Sequence, residues 1–365
     1  MESRSTGGYW GSIQIDAGAG DDILRATSWS SINGGAGNDL MTGSNAFFST
    51  GTGQDRVVVS GEHSTVSFED LGVGDSAEGN GTRDYFSGYG GDGNDTFAAG
   101  DGEVFVGGAR MATGFESINL YGGGGNDVFT SVGLSGLFDG GAGDDVIGVG
   151  GAGSSLGLEA YGGDGDDTLT GGSAIDHLAA GRGADHVYGG GGNDTVDFGY
   201  YYLEGGALDA GDYAEGGEGT DSLIAFTGAA ADSLIFRNHD VLLGGVRVAT
   251  GFESTQIGAM EGNDTFTFTG DNMPIEVSGG EGADAFRFSK GFASGAVRIS
   301  DFDSGIDKLW LQYAGPGDPN AVTIDWQQYD PNFYGLRLRL STGALVELSG
   351  VTELATGDVV YGDWA

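Results

Sequence analysis

Between residues 162 and 197 the apolar and acidic positions recur every nine residues. Four units lie end to end, GGDGDDTLT, GGSAIDHLA, AGRGADHVY and GGGGNDTVD; each has Asp at its sixth position and an apolar residue at its eighth. A flexible linker has no reason to keep such a register, whereas a repeat architecture requires one. A single apolar position between polar neighbours predicts a short strand that buries one side chain and exposes the two beside it.

The same unit, G-G-x-G-x-D-x-apolar-x, recurs along most of the chain with looser spacing. Asp127 and Asp145, eighteen residues apart, are followed two positions later by Phe129 and Ile147. Elsewhere the gaps between copies widen to about forty residues, as a repeat with inserted coils would show. These gaps hold β-branched or alternating segments that predict longer strands or extra coils, namely RVVVS (56–60), STVSF (64–68) and EVFVG (103–107).

A second and larger repeat indicates an internal duplication. Residues 107–129 align without gaps to residues 244–266 at an offset of 137, and thirteen of the twenty-three positions are identical. Both segments carry GFES followed by a GND turn. We therefore expect a duplicated supersecondary block within the repeat.

The spacing has a direct geometrical meaning. A Gly-rich turn of six residues needs backbone angles with positive φ, which Gly adopts readily, and a three-residue strand follows it. Two such units complete one turn of a flattened coil, so Asp residues eighteen apart stack on the same face, as in Asp167 with Asp185 and Asp176 with Asp194. Stacked carboxylates repel each other unless a cation lies between them, and carboxylate with backbone carbonyl is an oxygen environment suited to Ca²⁺.

Good or fair copies of the unit place Asp at thirteen positions, Asp55 among them, and the predicted metal ligands are the other twelve aspartates. They are Asp22, Asp39, Asp95, Asp127, Asp145, Asp167, Asp176, Asp185, Asp194, Asp221, Asp264 and Asp284.

Composition supports a cation-binding protein and argues against several other classes. The chain of 365 residues has a net charge of −40, 77 Gly, 4 Pro and no Cys. This charge repels nucleic acid and anionic membranes, and we expect neither a nucleic-acid partner nor a membrane span. Thiolate metal sites and disulfides are impossible without Cys, and the four His residues form no HExxH pair. Regularly spaced hydrophobic residues, 38% of the chain, argue against general disorder.

The nine-residue unit resembles that of the RTX family, the hemolysin-type calcium-binding repeats. This resemblance implies an all-β fold, a parallel β-roll or β-helix solenoid, with Ca²⁺ ions held between successive Gly/Asp turns. Residues 300–311, SDFDSGIDKLWL, and 336–361 resemble the C-terminal region of serralysin-type and other type I secreted RTX proteins. LRLRL and ALVEL around Ser341–Gly343 also predict a hairpin by their alternation. We therefore expect a β-roll over residues 1–298 and a β-rich cap over residues 299–365.

In the family this C-terminal region carries the signal for a bacterial type I exporter. The resemblance thus implies that the chain is secreted, or displayed at the cell surface, by a Gram-negative bacterium and folds on binding Ca²⁺ outside. We expect a structural, surface or matrix role, with self-association as a possible property. Two alternatives stay open: the chain is the RTX and secretion portion of a larger enzyme or toxin, or it is a calcium-dependent module that binds an extracellular polysaccharide.

Catalysis by this chain is not expected. Repeats begin as early as Asp16, which leaves little sequence for an independent catalytic domain. Residues 153–157, GSSLG, fit the nucleophile-elbow pattern around Ser155, but the strand–turn–helix setting that this motif needs is not predicted there. The cluster Tyr200–Tyr202 is expected to pack at the core or an edge, with a glycan platform as the alternative.

Overall fold

The computed structural model describes residues 13–27, 29–133, 136–149, 157–199, 206–270, 274–292 and 295–364. Every regular element in these ranges is a β-strand, and no helix that could cross a membrane is present among them. The chain divides into two compact units, Met1–Leu178 and Ala179–Ala365. The all-β class predicted from the repeat is therefore confirmed.

The first unit contains eighteen complete strands and the start of a nineteenth. They are β1 (Ile13–Asp16), β2 (Ile23–Thr27), β3 (Ser30–Ala36), β4 (Leu40–Ser44), β5 (Phe47–Thr52), β6 (Arg56–Ser60), β7 (Thr65–Phe68), β8 (Ser76–Asn80), β9 (Tyr85–Gly91), β10 (Thr96–Gly100), β11 (Glu103–Val106), β12 (Ala109–Thr113), β13 (Ser117–Gly124), β14 (Val128–Val132), β15 (Gly136–Ala142), β16 (Val146–Val149), β17 (Glu159–Asp164), β18 (Thr168–Thr170) and β19 (His177–Arg182).

The second unit contains the remaining strands of the described chain. They are β20 (His186–Gly192), β21 (Thr195–Phe198), β22 (Tyr213–Gly219), β23 (Ser222–Phe226), β24 (Ser233–Arg237), β25 (Asp240–Leu243), β26 (Val246–Thr250), β27 (Ser254–Gly258), β28 (Thr265–Phe268), β29 (Ile275–Ser278), β30 (Ala285–Phe288), β31 (Ala296–Ile299), β32 (Lys308–Gln312), β33 (Ile324–Asp330), β34 (Gly335–Leu340), β35 (Leu345–Ser349) and β36 (Val359–Gly362).

Strands of the first unit alternate between two sheets as the chain coils. Strands β9, β13, β15 and β17 pair in parallel in one sheet, and β10, β14, β16 and β18 pair in parallel in the other. Alternate residues of each short strand point inward, and Phe97, Phe129 and Ile147 align in register as a buried column. The Phe97 and Phe129 rings stack with centroids 4.8 Å apart, a separation equal to the usual spacing of adjacent strands.

The second unit follows the same plan until its C-terminal end. Strands β28, β30, β32 and β36 are parallel, and their inward rings stack in pairs, as Phe266 does on Phe286 at 5.1 Å. Strands β33, β34 and β35 are instead antiparallel. The hairpin predicted from LRLRL and ALVEL is confirmed as β34 and β35. The boundary predicted near residue 299 stays a prediction.

The internal duplication is longer than the aligned sequence suggests. In both units a hairpin interrupts the coil: β10–β11–β12 in the first and β24–β25–β26 in the second, each antiparallel and each with a register shift in its second pairing. The first residues of β8 to β14 and of β22 to β28 all differ by 137. The segment EVFVG (103–107) is therefore a hairpin strand and its turn, whereas RVVVS and STVSF form ordinary coil strands, β6 and β7.

Candidate metal centre

The Gly-rich turns bring successive coils into direct backbone contact. In the turn that precedes Asp145, Gly141 has a φ of +98°, a conformation that L side chains rarely adopt. A Cβ atom at Gly141 would also overlap the carbonyl oxygen of Gly123 in the preceding coil. The glycines are thus required twice, by the positive φ and by the close stacking of the coils.

The sixth-position aspartates form a hydrogen-bonded series that we call the inner ladder. The Asp95 N–H donates to Asp127 Oδ1 at 2.7 Å, the Asp127 N–H to Asp145 Oδ1 at 2.7 Å, and the Asp145 N–H to Asp167 Oδ1 at 2.7 Å. Each coil is therefore tied to the next by one carboxylate oxygen. Other series of this type are Asp22–Asp39–Asp55–Asp75, Asp84–Glu116, Asp185–Asp212, Asp194–Asp221–Glu253 and Asp232–Asp264–Asp284–Asp307.

In many of these residues the second carboxylate oxygen, Oδ2, is buried and has no hydrogen-bond partner. We call them open carboxylates, and they include Asp39, Asp95, Asp127, Asp145, Asp221, Asp232, Asp264 and Asp284. A buried charged oxygen without a partner is costly, and native proteins satisfy such atoms with a hydrogen bond, water or an ion. The protein alone therefore leaves one oxygen of each open carboxylate without a partner.

At Asp127 and Asp145 the open oxygen lies beside a backbone oxygen of the next coil. A Cβ atom built on Gly140 would overlap Asp145 Oδ2 and would lie 2.6 Å from the carbonyl oxygen of Gly162. One coil earlier, a Cβ on Gly122 would meet Asp127 Oδ2 and, at 2.5 Å, the carbonyl oxygen of Gly140. The same pairing of carboxylate and carbonyl oxygen thus repeats along the roll, and only Gly leaves room for it.

Burial makes the charged form of these acids unfavourable when no cation is bound. It raises the pKa of Asp145 to about 6, an effect opposed by the hydrogen bond from the Asp127 backbone. Burial likewise raises the pKa of Asp284 to about 7, and the neighbouring Asp307, Asp264 and Asp301 raise it further. A bound cation would relieve both the burial and the repulsion.

A second group of aspartates is satisfied by the protein alone. We call these closed carboxylates, since both oxygens accept hydrogen bonds. Asp212 accepts the Asp185 N–H on Oδ1 at 2.9 Å and the Asp209 N–H on Oδ2 at 2.7 Å. Further closed carboxylates are Asp75, Asp84, Asp176, Asp301, Asp307, Asp318 and Asp358.

The twelve aspartates predicted as metal ligands fall into three classes in the structure. Asp39, Asp95, Asp127, Asp145, Asp221, Asp264 and Asp284 are open carboxylates. Asp176 is closed, with Oδ1 bonded to the Leu158 N–H and Oδ2 to the Gly172 N–H. Asp22, Asp167, Asp185 and Asp194 belong to the inner ladder.

The prediction that aspartates eighteen residues apart stack on each other is confirmed for Asp127 and Asp145, because the Asp127 N–H donates to Asp145 Oδ1. The pairs Asp167 with Asp185 and Asp176 with Asp194 join residues of different units and stay a prediction.

Several inner-ladder residues were not among the predicted ligands. They are Asp55, Asp75, Asp84, Asp212, Asp232 and Asp307. Each is followed two positions later by an apolar residue, but all except Asp55 lack the leading glycines of the unit. The Asp-x-apolar signal alone would have found them. Ser155 and Tyr200–Tyr202 lie outside the described residues.

The side chains alone do not make a metal centre in the described ranges. No group of three or more His, Asp or Glu side chains converges there on a common point. A cation would therefore take an Asp oxygen from each turn and draw its other ligands from backbone carbonyls. That donor set, all hard oxygen atoms, fits Ca²⁺, which accepts six to eight oxygen ligands.

These features define a parallel β-roll with carboxylate ladders in its Gly-rich turns. The family model of the RTX calcium-binding nonapeptide repeat matches the chain in four copies, at residues 30–46, 89–106, 119–131 and 161–196. The chain thus carries RTX calcium-binding repeats, and the matched segments include the turns of Asp39, Asp95 and Asp127.

Two further comparisons extend this finding little. No characterised protein sequence matches the chain. The solved structure of the extracellular lipase LipA from Serratia marcescens is similar at 17% sequence identity over 59% of this chain, with a TM-score of 0.22. The aligned part is 45% of the lipase chain, so this chain spans less than half of that protein. The predicted serralysin-like character of the C-terminal region stays a prediction.

Proposed function

We propose that this protein is a secreted RTX protein that folds when Ca²⁺ binds its open carboxylates, and that its role is structural, at the cell surface or in an extracellular matrix. The proposal rests on one observation above all. Buried Oδ2 atoms without hydrogen bonds recur beside Gly carbonyl oxygens of the next coil, as at Asp127 and Asp145. The RTX repeat match covers the first of these two turns.

Calcium binding would supply the free energy of folding. Without a cation the stacked carboxylates repel each other, and the chain is expected to be expanded. Extracellular calcium modules have dissociation constants of roughly 10⁻⁴ to 10⁻³ M. At about ten times the dissociation constant each site contributes roughly 1.4 kcal/mol, so several coupled sites reach the scale of a domain's stability. Low calcium inside a cell would then keep the chain unfolded for export by a type I system.

A calcium titration of chelated protein tests the proposal. Far-UV circular dichroism and light scattering should report a coil-to-β transition with compaction, and Mg²⁺ should not replace Ca²⁺ because it prefers a smaller octahedral site. Equal dimensions with and without chelator would contradict folding on binding. An equal response to Mg²⁺ would contradict the calcium specificity.

A further inference from the structure

The internal duplication offers a second, independent site. Ser76 on β8 and Tyr213 on β22 occupy equivalent positions, offset by 137. Each is preceded by an inner-ladder aspartate, and each lies on a strand that pairs in parallel with the last hairpin strand, β12 or β26. The two surfaces therefore share one backbone frame and differ in their side chains.

In the second unit the side chain at this position is the phenol ring of Tyr213. The ring of Tyr213 lies 5.9 Å from the guanidinium carbon of Arg247, and its centroid is 6.4 Å from that of His186 and 6.1 Å from that of Tyr188. The Tyr213 hydroxyl donates to Glu215 Oε2 at 3.5 Å. The surface here is thus built around an aromatic ring with a cation over its face and a carboxylate at its hydroxyl.

In the first unit the equivalent place is a hollow. Ser76 replaces the tyrosine, and a hollow of about 250 Å³ is lined by Arg56, Ser76, Glu78, Arg110 and Met111. Arg110 and Glu78 are equivalent to Arg247 and Glu215. The cation and the carboxylate that serve the phenol ring in one unit are therefore present in the other without the ring.

The hollow also carries more positive charge than its counterpart. Arg56 pairs in register with Ser76, at the place that His186 has beside Tyr213. Its guanidinium has no hydrogen bond or ion pair among the described side chains. Arg110 donates to Glu103 Oε1 at 2.8 Å, which engages only one of its N–H groups. An uncompensated guanidinium beside an open hollow favours an anionic group at that point.

We propose that this hollow binds a small phenolic acid, an aromatic ring with a hydroxyl group and a carboxylate. The ring takes the place that Tyr213 has in the second unit, against Arg110. The hydroxyl donates to Glu78, and the carboxylate pairs with Arg56. Neither Ser76 nor these three residues belongs to the inner ladder, although Ser76 and Arg56 each directly follow one of its aspartates.

Reciprocal exchange of the two equivalent residues tests the proposal in the full-length, calcium-loaded protein. The probe is 4-hydroxyphenylacetate, with binding followed by calorimetry and by ligand-observed NMR. A ligand of this size is expected to bind with a Kd at or below about 1 mM. Wild type should bind one equivalent. Ser76→Tyr should abolish binding because the new ring fills the hollow. Tyr213→Ser should create a second but weaker site, because His186 stands there in the place of Arg56.

Two further binding experiments distinguish a specific site from unspecific association. Arg56→Gln should weaken binding about tenfold, the effect of one charged hydrogen-bonded contact. The neutral probe 4-methylphenol should bind wild type more weakly by a similar factor. Absence of binding to wild type at millimolar probe would overturn the proposal, as would unchanged binding to both Ser76→Tyr and Arg56→Gln. Circular dichroism of each variant checks that the fold is intact.

Discussion

The turns at Asp145 and Asp212 differ in how their second carboxylate oxygen is satisfied. Both side chains are almost fully buried, at 1% and 3% exposure, and both accept a backbone N–H from the preceding coil on Oδ1. Asp212 Oδ2 also accepts the Asp209 N–H, whereas Asp145 Oδ2 has no hydrogen bond and lies near a carbonyl oxygen. The same residue type at the same ladder position is thus self-sufficient in one turn and dependent on a cation in the other.

Three closed carboxylates, Asp75, Asp212 and Asp307, lie where the regular repeat is interrupted, whereas Asp176 is closed within the regular block 162–197. Asp75 and Asp212 are offset by 137 and precede the strands that pair with the two hairpins, and Asp307 precedes β32. In each case the second oxygen accepts an N–H from three or four residues earlier in the same turn. A local hydrogen bond thus replaces the shared oxygen site where the next regular turn is missing.

The largest effect of a single substitution is expected for Gly140→Ala. Gly140 has an ordinary backbone conformation, but an added Cβ would overlap Asp145 Oδ2 and press on the Gly162 carbonyl oxygen. We expect a loss of about 1–3 kcal/mol of stability from overpacking, together with weaker calcium binding at this turn. Chemical denaturation in saturating Ca²⁺ measures the first effect, and calcium titration measures the second.

Gly93→Ala is the matched control for this substitution. Gly93 also lies in a repeat turn, has an ordinary φ, and has no atom within 4 Å of an added Cβ. It should change stability by less than about 0.5 kcal/mol, as surface substitutions usually do. Equal losses in the two variants would mean that the space beside Gly140 is not the cause.

A paired substitution of the two aspartates should give effects of opposite sign in chelator. In Asp145→Asn the amide oxygen keeps the bond to the Asp127 N–H, and the new NH₂ group can donate to the Gly162 carbonyl. In chelator this variant should therefore hold more β-structure than wild type, while calcium affinity falls about tenfold because one ligand charge is lost. Far-UV circular dichroism in chelator measures the first change, and calcium titration measures the second.

Asp212→Asn should instead destabilise the protein by about 1–3 kcal/mol in saturating Ca²⁺, and it should hold less β-structure than wild type in chelator. The two carboxylate oxygens accept the N–H groups of Asp185 and Asp209. Asn keeps one acceptor oxygen, so one of these N–H groups would face the NH₂ group and lose its partner. If both variants respond to calcium alike, the distinction between open and closed carboxylates is wrong.

The pH dependence of the protein in chelator should show the smallest effect, a change in its content of β-structure. Burial raises the pKa of Asp145 to about 6 and that of Asp212 to about 7, both from an ordinary value of 3.8. The folded state therefore binds more protons than the unfolded state across this window, and its stability falls as pH rises from about 4 to 7. In chelator we expect more β-structure at pH 5 than at pH 8 by far-UV circular dichroism. More β-structure at pH 8 would contradict this assignment.

The regular part of the molecule could be predicted from sequence, and the interruptions could not. Period nine with a fixed apolar partner gave the coil and the stacked pair Asp127 and Asp145, because each coil contacts only its neighbours. The hairpin strand β11 could not be distinguished from a coil strand, since both alternate in the same way. Asp212 and Asp232 were missed because their turns lack leading glycines. Whether an aspartate is open or closed depends on backbone N–H groups of other coils, which no local pattern specifies.

Anomalous X-ray diffraction from crystals grown with Ca²⁺ tests the central claim most directly. The claim predicts anomalous peaks about 2.3–2.6 Å from Asp127 Oδ2 and from Asp145 Oδ2, close to the Gly carbonyl oxygens of the next coil, and none beside Asp212. Peaks at Asp212 but not at Asp145, or no peaks in any Gly-rich turn, would contradict it.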